Sequence, residues 1–219
     1  MRKGMRSFLL FGAGIVIAAL GLHQQAKTRR VTPELSRISA ESSGERTRQH
    51  YPPGKYPVML MPDGERRAIH SILNVSGPMR FGTHVWNEAG VPEGPLWVRV
   101  DLARQILSVF RGGHEIGSAV ILYGTDGKPT PTGSFTVLQK DADYHSRTYD
   151  APMPYMLRLT DDGVAIHGSD VRVGRATHGC IGVPLAFARL LFAQMHKGDM
   201  VVIVPADDQN GSPPRQTQI

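Results

Sequence analysis

The sequence predicts a mainly β domain with one or two helices, preceded by an N-terminal apolar segment and a flexible linker. Three observations carry that expectation. Apolar residues adopt a two-residue period beyond Gly94, a single stretch near the C-terminus has helical period, and an uncharged run near the N-terminus gives way to a long polar stretch. With 219 residues, 41% of them hydrophobic, the chain has enough apolar material to bury a core.

Arg2, Lys3 and Arg6 precede the run SFLLFGAGIVIAALGL, Ser7 to Leu22. This is the pattern of an export signal, with an apolar core shorter than the roughly 20 residues of a spanning helix. Residues 1–22 are therefore expected to be a signal peptide or a membrane anchor. Ala19 and Gly21 suit cleavage but Leu20 separates them, and Lys27, Arg29 and Arg30 beyond the run leave its orientation undecided. Residues 23–68 are expected to be a flexible linker, rich in Ser, Thr, Arg, Glu and Gln and lacking a sustained apolar period. Residues 69–93 form a lead-in whose short apolar groups are broken by Gly and Pro, and no element is assigned there.

Residues 94–205 are expected to be the folded domain. LWVRVDL (Leu96 to Leu102), QILSVFR (Gln105 to Arg111), EIGSAVILYG (Glu115 to Gly124), GSFTVLQK (Gly133 to Lys140), YMLRLT (Tyr155 to Thr160) and GVAIHG (Gly163 to Gly168) are short, β-branched and bounded by turn residues, which predicts six strands. PLAFARLLFAQMHKG breaks the series with an apolar stripe at Leu185, Ala188, Leu191, Phe192 and Met195; Pro184 suits its first turn and Gly198 its end. DMVVIVP then predicts a last strand, and the polar residues 206–219 a disordered tail.

The formal charge of +6 draws the surface to anionic material. Nucleic acid is not expected as a partner: there is no paired Cys/His zinc spacing, no basic helix with interleaved aromatics and no RNP-type strand. Cys180 is the only cysteine, so no intramolecular disulfide staples the fold, and a single thiol in an exported chain points to reactivity. It lies in ATHGCIG (Ala176 to Gly182), joined to GVAIHG by SDVRVGRA, where strand gives way to loop. A thiolate is a nucleophile and a nearby imidazole accepts its proton. His178 and His167 compete for that role. Residues two apart on an extended chain are about 6.5 Å apart, so His178 reaches Cys180 only across a sharp bend at Gly179, a handicap that His167 does not share. Gly179 also lets backbone N–H groups turn toward one point, as an oxyanion hole needs.

Taken together, IHGSDVRVGRATHGCIGVP resembles the signature of L,D-transpeptidases of the YkuD type, a histidine–glycine pair followed by an S/T-H-G-C segment. GKPTPTGSFTV is similar to that family's P-T-P-x-G-x-F turn and strand. The resemblance implies a β-sandwich-like catalytic domain acting on peptidoglycan stem peptides on the periplasmic side of the inner membrane, or exported to the periplasm, with no cofactor. Carried over by position, it implies Cys180 as nucleophile and His167 as general base oriented by the carbonyl of Gly168, with Thr177, His178 and Gly179 shaping the oxyanion hole and substrate slot. The implied product is a 3→3 crosslink, or, with water as acceptor, that of an L,D-carboxypeptidase.

Two departures from the family pattern stand out. The family usually has arginine two residues after the cysteine, where this chain has Gly182; Arg172 and Arg175 are the candidate replacements for contact with a substrate carboxylate. The interval between His167 and Thr177 is also short. DADYHSRTYDAPMPY (Asp141 to Tyr155) is either a lid or an ordinary exposed loop, and Tyr155 is its candidate substrate contact. Two other classes compete. One is a zinc site of His167, His178 and Cys180, disfavoured by the H-x-C spacing and the lack of a fourth ligand. The other is a wall-binding module without catalysis, suggested by Gly182.

Overall fold

The computed structural model describes residues 47–206 apart from residue 63. Before the predicted domain it contains β1 (Arg48–His50), β2 (Val58–Leu60), β3 (Arg66–Ala68), β4 (Ser71–Leu73) and β5 (His84–Trp86). These are followed by β6 (Leu96–Asp101), β7 (Ile106–Arg111), β8 (His114–Val120), β9 (Gly133–Thr136) and β10 (Gln139–Asp141). Next come β11 (His145–Ser146), β12 (Ala151–Pro152), β13 (Met156–Arg158), β14 (Ala165–Ser169) and β15 (Ile181–Pro184), then helix α1 (Leu185–Gln194) and β16 (Met200–Val204).

The strands form one large sheet in the order β1-β4-β8-β7-β6-β16-β9, with β5 also paired to β8, and a smaller sheet in the order β10-β13-β14-β15. Alternation along the strands sorts side chains between the two faces of the large sheet. Val98 and Val100 of β6 and Val201 and Ile203 of β16 join the main core with Leu157, Ile166, Ile181 and Val183 of the small sheet and Phe187, Ala188 and Leu191 of α1. Trp97, Val202 and Val204 point the other way and pack with Met59, Met61, Ile69 and Phe110. There Trp97 stacks on its cross-strand partner Phe110 with ring centroids 4.3 Å apart. Strand β16 is thus buried on both faces, which accounts for its unbroken apolar run.

The seven predicted strands, the last of them β16, and the predicted helix are present, with two adjustments. GSFTVLQK supplies two strands: β9 pairs with β16 in the large sheet and β10 with β13 in the small one, so the chain changes sheets at Val137 and Leu138. EIGSAVILYG leaves the ladder at Val120, after which Leu122 and Gly124 make isolated bridges to Gly182 and Thr177. Pro184 is the helix N-cap, and Lys140 Nζ closes the other end by donating to the carbonyls of Phe192, at 2.7 Å, and Met195.

The linker boundary needs correction. Residues 48–68, expected within the linker, contain β1, β2 and β3, because Arg48 on β1 is buried and donates to Ser71 Oγ at 3.2 Å, to Asn87 O at 2.6 Å and to Glu115 O. The expected signal or anchor at residues 1–22 and the expected tail from 207 onward lie outside the described residues. Among the described residues no helix is long and apolar enough to cross a membrane.

Candidate active site

The two candidate catalytic residues are brought together by a parallel strand pair. β14 and β15 pair with Ile166 opposite Ile181 and His167 opposite Gly182, so Cys180, immediately before β15, approaches the start of β14. Burial of Ile166, Ile181 and Val183 in the main core fixes this register, and one residue of slip would turn them out of it.

His167 Nδ1 lies 2.9 Å from the carbonyl oxygen of Gly168. A carbonyl only accepts, so Nδ1 carries the proton and Nε2 is the basic nitrogen. Burial pushes the imidazole below its ordinary value, against a smaller raising effect of that hydrogen bond, and favours the neutral ring. Gly168 has no space for a side chain: a Cβ there would stand 2.9 Å from Leu185 Cδ1 and 3.2 Å from Pro154 Cγ. Its N–H also donates to Pro154 O at 2.8 Å, so the residue that orients His167 is itself seated on the base of the Asp141–Tyr155 loop.

Cys180 is half-buried beside Met153, Met156, Ala165 and Tyr144. Burial pushes its thiol up, Asp162 adds to the rise, and a hydrogen bond from the Ala165 backbone opposes it. The resting pair is accordingly a thiol and a neutral imidazole.

The turn that carries the thiol is clamped by two threonines. Thr177 Oγ1 donates to Cys180 O at 2.5 Å, and Thr130 Oγ1 to Gly179 O at 3.0 Å. Gly179 sits at φ +106°, a backbone conformation that other residues adopt with strain. Among the described residues the N–H groups of His178, Gly179 and Cys180 make no backbone hydrogen bond. Successive N–H groups beside a positive-φ glycine are the kind of donors from which anion-binding concavities are built.

The remaining predicted residues separate. His178 is exposed and its ring stacks on Tyr149, centroids 4.7 Å apart at 16°. Tyr149 belongs to the connection of the β11–β12 hairpin, so the Asp141–Tyr155 loop folds on itself and rests against the cysteine turn. Tyr155, at φ +57°, turns its ring to Phe192 and the core, centroids 5.8 Å apart; Tyr149, on His178, and Tyr144, on the cluster that holds Cys180, are the aromatics of this loop at the site. Arg172 pairs with Asp170 at 2.7 Å on the surface. Arg175 is exposed and has no ion pair among the described residues.

The space beside Gly182 is filled. A Cβ at Gly182 would lie 2.9 Å from Ser169 Cβ and 3.2 Å from Ser169 Oγ, and its N–H and carbonyl both pair with Leu122, at 2.9 and 2.8 Å. The glycine is required by close approach rather than by backbone freedom. Thr130, Tyr149 and Ser169 escape a search for catalytic residue types, although Thr130 and Tyr149 both lie in stretches whose turn chemistry and length draw attention.

Residues 95–203 match the family profile described as L,D-transpeptidase catalytic domain, YkuD. No curated protein matches the chain. Among solved structures, an L,D-transpeptidase from Stackebrandtia nassauensis is 23% identical, with a TM-score of 0.48 over 52% of this chain and 57% of that one. A mutant L,D-transpeptidase from Enterococcus faecium is 27% identical, with a TM-score of 0.47 over 51% of this chain and 50% of that one. An L,D-transpeptidase from Mycobacterium smegmatis is 19% identical, with a TM-score of 0.48 over 75% of this chain and 85% of that one. This chain therefore spans about half the length of the first two. By its match over residues 95–203, the chain belongs to the YkuD family of L,D-transpeptidase catalytic domains.

Proposed function

We propose that this protein is a cysteine-dependent L,D-transpeptidase of peptidoglycan, held at or exported across the inner membrane, working through a thioester on Cys180. The observation that carries the reading is the His167–Gly168 hydrogen bond, which leaves Nε2 as the proton acceptor on the strand that pairs with the one following Cys180. Nε2 takes the thiol proton as Sγ attacks the carbonyl of the diamino acid residue in a stem tetrapeptide, and the carbonyl electrons move to oxygen. The N–H groups of residues 178–180 receive that oxyanion. Collapse breaks the bond to the terminal D-alanine, whose amine leaves with the proton from His167. An amine of a neighbouring stem then attacks the thioester, regenerates the thiol and forms the 3→3 crosslink.

Residues 94–205 are the catalytic unit in this reading, and 1–22 the signal or anchor. Tyr149 and His178 form one wall of the slot. Of the two loop arginines, Arg175 is the better placed to meet a substrate carboxylate, since Asp170 already engages Arg172. Incubation of the protein with disaccharide tetrapeptides, followed by mass spectrometry, tests the reading. D-alanine release together with 3→3 dimers is expected. Release with tripeptide as the only product assigns the carboxypeptidase reaction, and no release excludes both.

A further inference from the structure

The turn GKPTPTG packs against the cysteine segment and is hydrogen-bonded to it through Thr130. Thr130 is buried, with its hydroxyl between two backbone groups. Gly124 N–H donates to Oγ1 at 2.9 Å, so the hydroxyl proton is left for the Gly179 carbonyl, 3.0 Å away. Pro129 and Pro131 flank Thr130 and fix their own φ angles, which limits its movement. The packing around it is close: a Cβ at Gly124 would fall 2.1 Å from Lys128 O, 2.8 Å from Thr130 N and 2.9 Å from Gly179 Cα. The Gly124–Thr177 bridge ties the same two segments together one step earlier, with Thr177 N donating to Tyr123 O at 3.0 Å.

A trans peptide is planar, and its C=O and N–H point in opposite directions. Whatever holds the Gly179 carbonyl therefore also sets the direction of the Cys180 N–H. Gly179, at φ +106° and without a side chain, offers little resistance of its own to rotation of that peptide. The Thr177 hydroxyl holds the next carbonyl, that of Cys180, and does not fix this one.

We propose that Thr130 is a positioning residue: by holding the Gly179 carbonyl it aims the Cys180 N–H at the oxyanion formed when Cys180 attacks its substrate. The proposal rests on Cys180 as the acylated nucleophile and adds a residue that touches neither substrate nor sulfur. Preorganised donors act through their fixed direction, and misplacement on the order of 1 Å costs about 10²-fold in rate.

The test compares two reactions of Cys180 in the full chain, using wild type, Thr130→Val, Thr130→Ser and Cys180→Ala. Acylation by a disaccharide tetrapeptide forms an oxyanion; alkylation by iodoacetamide displaces iodide at a saturated carbon and forms none. Since Cys180 is the only cysteine, the alkylation rate reports on it alone. Thr130→Val is expected to slow acylation about 10²-fold through kcat, with KM and the alkylation rate within about threefold of wild type. Thr130→Ser, which restores the hydroxyl, is expected to recover most of the acylation rate. The proposal is overturned if Thr130→Val acylates like wild type, if acylation and alkylation fall together, or if Thr130→Ser is as slow as Thr130→Val. Should Thr130→Val not fold, Thr130→Ala gives the same pair of rates and the same criteria apply. Failure of the underlying reading looks different: wild type itself then forms no acyl adduct, as Cys180→Ala does not.

Discussion

Cys180 and His167, carried at neighbouring positions of the β14–β15 pair, are both held toward their uncharged forms, and this determines how the rate should respond to pH. Burial lowers the imidazole and raises the thiol from their ordinary values, so between the two pKa values the resting pair is thiol and neutral base. The acid limb of acylation is therefore expected below the ordinary histidine range, with a plateau above it. Without the base, only preformed thiolate reacts. His167→Ala should lose roughly 10²-fold or more at neutral pH, and its residual rate should rise about tenfold per pH unit across the wild-type plateau. His178→Ala should lose less and keep the plateau, since its exposed ring is stacked on Tyr149. A plateau in His167→Ala and a slope in His178→Ala would exchange the two roles. The pH dependence of stability follows the same shifts: the neutral His167 contribution is present above the unfolded-state pKa and is lost as pH falls through the lowered folded value. That of Cys180 is present below its unfolded-state pKa and is lost as pH rises through the raised one.

At the scale of the element, the β14–β15 pair leaves no space for the arginine usual in the family at the position of Gly182. Ser169 lies two residues beyond His167 on β14 and so shares its face, and a new side chain at Gly182 would push on both. Gly182→Ala is expected to lower stability by about 1–3 kcal/mol, and Gly182→Arg by at least as much. Ser169→Gly should be destabilising alone but should recover part of the loss in the Gly182→Ala background. Thermal melts of the two single variants and the double variant check this, and additive losses would mean that Ser169 is not the obstacle. The same pair shows how far the sequence could be read. Leu96–Asp101, Ile106–Arg111 and α1 were legible because each presents a regular period to the core. Ile181–Pro184 was not, because a glycine and a proline in four residues hide a strand whose ladder depends on a distant partner. The catalytic candidates were visible as residue types at a strand end. Thr130 and Tyr149 were not, because their roles come from what they touch across the fold.

For the molecule as a whole, the segment before the family match is part of the scaffold. Residues 48–86 contribute three strands to the large sheet, and the β2–β3 hairpin helps cover its outer core. Arg48 joins β1 to β4, to β8 and to the stretch after β5, and its burial pushes the guanidinium down. Arg48→Ala should cost about 3 kcal/mol, because buried acceptors on three segments lose a charged donor. A chain beginning at Gly54 should melt below one beginning at Thr47; equal melting temperatures would make β1 dispensable. All of this scaffold converges on one sulfur, so the most direct test of the account is intact-protein mass spectrometry after brief exposure to a disaccharide tetrapeptide. Wild type is expected to gain the mass of the donor less its terminal D-alanine, and Cys180→Ala, with an unchanged melting temperature, to gain nothing. Donor turnover by Cys180→Ala at the wild-type rate, or an adduct on any other residue, would contradict the thioester mechanism.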